Sequence, residues 1–153
     1  MASHADAPQQ HQPEQVLAVL VTAPDAAVAQ RLADAAVGER LAACANVFLG
    51  GGAAGSGSGS NGFAVQSTYW WQGKLCRAEN ETLLLLKTPA RNLSRLTARI
   101  KELHPYDEPA ISALPVVGGS ASYLKWVVDE ATGEGGGDAT AGAATTTGAA
   151  AKE

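Results

Sequence analysis

Ser67-Thr68-Tyr69-Trp70-Trp71-Gln72-Gly73-Lys74 is the stretch on which the fold turns. Alternation along an extended chain sends Tyr69 and Trp71 to one side and Thr68 and Trp70 to the other, so large rings project both ways. Gln72-Gly73 reads as a two-residue turn, and Lys74 to Lys87 as the returning arm, ending in Thr82-Leu83-Leu84-Leu85-Leu86. That arm is long against the roughly 5–6 residues usual for a strand. If each indole loses roughly 150–250 Å² at about 25 cal/mol per Å², its burial is worth on the order of 4–6 kcal/mol at most. A hairpin with one wet face forgoes half of that. Arms this long and apolar on both sides are therefore expected to pair in part with another subunit.

The flanks of the hairpin repeat one pattern. On the N-terminal side, Val16 to Thr22 is a continuous apolar strand, broken by Thr22-Ala23-Pro24-Asp25. Asp25 then caps a helix reaching about Leu41, with Ala29, Leu32, Ala33 and Ala36 at helical spacing. Leu41 to Leu49 passes into a second strand with Cys44 at its start. On the C-terminal side, Thr88-Pro89 gives a cap followed by a first-turn proline, and Leu93, Leu96, Ile100 and Leu103 mark an amphipathic helix. A strand over Ala110 to Val117 and a short helix capped by Ser120, carrying Tyr123, Leu124, Val127 and Val128, complete the fold. The order is β-α-β, hairpin, β-α-β, then a short helix. This predicts an α+β fold, a ferredoxin-like split βαβ sandwich with an antiparallel sheet and two helices on one face. The bare face calls for a symmetric homo-oligomer.

Composition sets the boundaries. At 153 residues the chain holds one domain with a proper core. Its glycines and alanines concentrate in two aperiodic stretches, so residues 1–14 read as a disordered leader, 15–130 as the domain, 50–62 as a flexible Gly/Ser insert and 131–153 as a disordered tail. The net charge of −4 belongs to the tails, because residues 15–130 carry ten Lys/Arg against ten Asp/Glu. A phosphate-tracking surface needs a basic excess, so nucleic acid is not an expected partner. No run approaches the roughly 18 apolar residues of a membrane span. Cys44 and Cys76 make no disulfide framework, and no signal peptide is apparent, which together point to a reducing, cytoplasmic setting.

Functional groups crowd into His104-Pro105-Tyr106-Asp107-Glu108-Pro109. Each proline disfavours helical geometry in the residue before it, so an imidazole, a phenol and two carboxylates sit on a stiff connector between helix and strand. His104, Asp107 and Glu108 are the candidate metal ligands; the plain alternative is a polar turn. Elsewhere the bland readings hold. Arg91, Arg95 and Arg99 form a solvated helix stripe, Cys44 fills space among alanines, and His4 and His11 lie in the leader. No nucleophile–base spacing is visible, and the Gly-rich insert lacks the Lys-Ser/Thr of a phosphate loop, so no enzymatic activity is expected.

Several segments together resemble a known family: Val19-Leu20-Val21-Thr22-Ala23-Pro24, Leu41-Ala42-Ala43-Cys44-Ala45-Asn46-Val47, Tyr69-Trp70-Trp71-Gln72-Gly73-Lys74, Leu86-Lys87-Thr88 and His104-Pro105-Tyr106-Asp107-Glu108-Pro109. In this order, over about Val16 to Glu130, they resemble the CutA divalent-cation tolerance proteins. The resemblance implies a ferredoxin-like homotrimer with intersubunit sheet pairing and a link to copper and other divalent ions, which are not required for folding. It implies no enzyme. Some relatives place a cysteine before the Thr-Ala-Pro motif and two histidines before Pro-Tyr; here those positions are Val21 and Leu103-His104. An alternative expectation is a trimeric small-molecule sensor resembling the PII signalling proteins, or a protein-assembly scaffold, with intersubunit clefts lined by Trp71, Lys87, Tyr106 and Glu108.

Overall fold

β1 (Val16–Ala23) buries Val19, Val21 and Ala23 on one face and turns Ala18, Leu20 and Thr22 to the other, the two-residue alternation of a strand packed mainly on one side. In this computed structural model, residues 14–49 and 65–133 are described. The expectations for residues 1–13, for the 50–62 insert and for the chain beyond 133, with His4 and His11, lie outside the described residues.

Asp25 caps α1 (Ala26–Gly38), its Oδ1 accepting the Val28 N–H at 2.8 Å. Small residues Ala29, Ala33 and Ala36 line the buried face beside Leu32, which lets the helix approach the sheet closely. The helix ends at Gly38, short of the expected Leu41. Arg40 adopts a left-handed backbone, φ +53°, and the Leu41 and Ala42 amides both fold back onto the Ala36 carbonyl at 2.9 Å. β2 (Cys44–Phe48) follows.

β3 (Val65–Trp71) and β4 (Lys74–Pro89) form the hairpin, with Gln72 at φ +48° and Gly73 at φ +77°, the pair of positive angles of a type I′ turn. The length of β4 has a simple cause: its first half pairs with β3, and its second half lies between β1 and β2. β5 (Ile111–Pro115) joins the free side of β1, giving the order β2-β4-β1-β5 with every pairing antiparallel. Each strand of a βαβ unit is thus separated from its mate by one strand of the other unit, the expected split arrangement. α1 and α2 (Leu93–Leu103) cover one face, and Leu32, Leu84, Leu86, Leu96 and Ile100 form the centre of the core.

Four expectations need correction. Thr88 does not cap a helix: it is the buried end of β4, its hydroxyl donating to the Leu41 carbonyl at 2.6 Å, and a 3-10 turn (Ala90–Asn92) precedes α2. Ser120 stands at the N-cap position of α3 (Ala121–Thr132), but its hydroxyl meets Ser122 Oγ at 3.0 Å rather than a backbone amide. The helices are not confined to one face, because α3 brings Tyr123 Oη to 3.5 Å from Cys44 Sγ, on the side of the sheet opposite the core. α3 also runs to Thr132 with Ala131 buried, past the boundary expected at 130. The hairpin rings remain bare in one protomer, Trp70 at 71% exposure.

Candidate functional site

The outer half of the hairpin faces the connector across an open cleft of about 710 Å³. Strand alternation puts Tyr69 and Trp71 on its β3 wall, and Arg77 and Glu81 come from β4. Tyr106, Asp107 and Glu108 form the opposite wall.

Glu81 is the group that the sequence did not disclose. The β3–β4 register shifts between Val65 and Ser67, and Asn80 takes a left-handed backbone, φ +64°, just before it. Such an irregularity re-aims side chains, and Glu81 is left only 4% exposed on the cleft. Its carboxylate accepts the Ser67 hydroxyl at Oε2 and the Tyr106 hydroxyl at Oε1, the latter at 3.4 Å. Burial raises the Tyr106 phenol above its ordinary value, and the neighbouring Glu81 charge and hydrogen bond push the same way. A carboxylate in the arm was the only signal available, and four other charged residues, Lys74, Arg77, Glu79 and Lys87, share that arm.

His104 lies behind the connector wall at 7% exposure. Its Nδ1 accepts the Tyr106 N–H at 3.1 Å, which leaves Nε2 as the donor to the Thr22 carbonyl at 2.9 Å. The ring also packs edge-on against Tyr106, centroids 5.0 Å apart. Both nitrogens are therefore engaged in holding the connector to β1. Asp107 and Glu108 are exposed, and Lys101 Nζ lies 2.9 Å from both Glu108 oxygens. Of the expected cleft residues, the fold brings together Trp71, Tyr106 and Glu108. Lys87 lies elsewhere, on the inner half of β4 opposite Cys44, with its amine on Asn46 Oδ1.

As arranged in one protomer, these groups do not form a closed metal site. Divalent sites for copper or zinc ordinarily need three or four fixed N, S or O ligands, and among the described residues no three His, Cys, Asp or Glu side chains gather for one.

Residues 17–51 and 58–130 match the family described as CutA1 divalent ion tolerance protein. The chain belongs to that family. A divalent-cation tolerance protein CutA from Thermus thermophilus is 40% identical over 109 residues, covering 71% of this chain and 91% of the relative. The solved CutA1 structure from that organism superposes with a TM-score of 0.63 at 38% identity, covering 75% of this chain and 97% of the other. CutA1 from Oryza sativa gives a TM-score of 0.64 at 35% identity, over 77% and 94% of the two chains. A rice relative named as chloroplastic is 37% identical over 111 residues, 72% of this chain, which spans only 54% of that relative's length. Among the described residues, no helix is long and apolar enough to cross a membrane.

Proposed function

We propose that this chain is a non-catalytic, homotrimeric divalent-cation tolerance protein that responds to copper or a related divalent ion. The observation that carries the reading is the family match, which runs unbroken through the hairpin and the connector in residues 58–130. Exposed apolar groups support assembly into such a ring: Trp70 and Leu75 on the hairpin and Phe48 at the end of β2 stay exposed in one protomer, a surface that a closed symmetric oligomer would cover. A reducing compartment, the cytoplasm, suits the free thiols Cys44 and Cys76.

A divalent ion would engage the exposed carboxylates of Asp107 and Glu108, and His104 would join only by releasing Thr22 or Tyr106. Copper(II) titrated calorimetrically into the full chain, with native mass measured on the same sample, tests this. Saturation at one ion per subunit, abolished in His104→Ala, is the expected result. Saturable binding that survives in His104→Ala would remove the connector histidine from the function, and no binding at all would make the tolerance role indirect.

A further inference from the structure

The arginine stripe that begins at Arg91 divides in the fold. Arg99 has Nε, Nη1 and Nη2 all on the carboxylates of Glu39 and Glu102, at 2.7 to 3.1 Å. Arg91 and Arg95, about one turn apart, instead line a pocket of about 440 Å³ together with Arg40. Asn92 lines it too at 6% exposure and ties its three segments together, since Nδ2 donates to the Arg40 carbonyl at 3.2 Å and to the Ala131 carbonyl at 3.0 Å. A guanidinium presents several N–H donors in a planar fork, yet among the described residues these forks are mostly open. Arg40 uses only Nη1, on the Glu130 carbonyl at 2.8 Å and its carboxylate at 3.4 Å; Arg91 uses only Nη1, on Glu14 at 2.9 Å; the Arg95 side chain has no partner. Glu39, the one carboxylate in the lining, is taken up by Arg99 through both oxygens.

We propose that this pocket binds a diphosphate or polyphosphate through the open forks of Arg40, Arg91 and Arg95. Arginine forks take phosphate oxygens in pairs. A single tetrahedral anion has too few oxygens to give each of three forks a pair of its own, whereas linked phosphates have enough. The lining also selects against a nucleoside, because Ala131 is its one apolar residue and it offers no ring on which a base could stack. A divalent cation would meet three guanidiniums and a carboxylate already engaged. The competitors are Glu14 and Glu130, which each hold one nitrogen of an arginine. Both pairs are substantially exposed, and exposed pairs are worth little, so a multiply charged anion can outbid them. The volume lies within the range of small-molecule sites. No residue of the connector takes part, so the inference does not depend on copper binding.

Inorganic pyrophosphate is the probe, titrated calorimetrically into the full chain at neutral pH and fixed ionic strength without divalent ions, beside sulfate as the single tetrahedral anion. Pyrophosphate should saturate at one per subunit and bind about tenfold or more tightly than sulfate. Arg95→Gln should weaken it about tenfold, and Arg95→Lys should recover only part of that loss, because an ammonium keeps the charge without the fork. Arg95 is exposed and makes no contact that the fold needs, so both variants should fold as the parent does. Arg31→Gln removes another exposed guanidinium, on α1 and outside the pocket, and should leave the affinity unchanged. Absence of saturation, no preference over sulfate, an affinity unchanged in Arg95→Gln or fully kept in Arg95→Lys, or an equal loss in Arg31→Gln overturns the proposal. Pyrophosphate binding in a chain that takes up no copper would separate this site from the tolerance reading.

Discussion

Tyr123 shows how one contact on the far side of the sheet sets a measurable property. Its hydroxyl sits 3.5 Å from Cys44 Sγ, and the hydrogen bond to that thiol, with burial and the thiolate's charge behind it, pushes the phenol up to about 12. The folded value thus exceeds the ordinary phenol value of about 10. Between those two values the folded chain holds a proton that the unfolded chain has lost, so stability falls as pH rises from about 10 to about 12 and is unaffected below. Ultraviolet titration of tyrosinate should show a late step near 12. That step should vanish in Tyr123→Phe and move down in Cys44→Ala; a late step retained in Tyr123→Phe would assign it to another tyrosine. Cys44 itself read as a space-filling residue among alanines, and nothing local in the sequence indicates that a phenol 79 residues away reaches it.

Among the elements, the junction between β4 and α2 joins most of the fold. Thr88 is fully buried and donates to the Leu41 carbonyl at 2.6 Å, while Asn92 Nδ2 reaches the carbonyls of Arg40 at 3.2 Å and Ala131 at 3.0 Å. Two side chains therefore tie the exit of α1 and the end of α3 to one strand end. Thr88→Val keeps the shape and removes the donor, which should cost about 1–3 kcal/mol for a buried acceptor left short of a partner. The guanidinium midpoint at fixed protein concentration measures it, and a midpoint within error of the parent would mean that Asn92, 3.4 Å from the same Leu41 oxygen, suffices. This junction also marks where the sequence stops being legible. Local signals were enough for the Asp25 cap, the Gln72-Gly73 turn and the alternation of Tyr69 and Trp71, because each depends on neighbours within a few residues. Thr88-Pro89 imitates a helix start at that range, and only the carbonyl of Leu41, 47 residues earlier, reveals its real role. Glu81 was hidden for the same reason: its burial comes from a bulge and from Tyr106 across the cleft, not from its own segment.

For the whole molecule, the question is what covers the hairpin. Trp70 and Leu75 stand opposite each other across β3 and β4, on the side away from Tyr69 and Trp71, and both are mainly exposed in one protomer. Burying the indole alone offers on the order of 4–6 kcal/mol as an upper bound, a large share of the 5–15 kcal/mol by which a domain is normally stable. A hairpin that holds such a pair in water is held there by an assembly rather than by its own fold. The variant Trp70→Glu with Leu75→Lys tests this without unmaking the hairpin, because opposite charges at a cross-strand position support pairing while making the exposed face unfit for an apolar contact. The parent should have a native mass near three times the 15.6 kDa chain, and the double variant should fall below it while keeping its strand content by circular dichroism. A double variant that remains trimeric would move the interface to another surface, with Phe48 and Leu114 the next apolar groups in line.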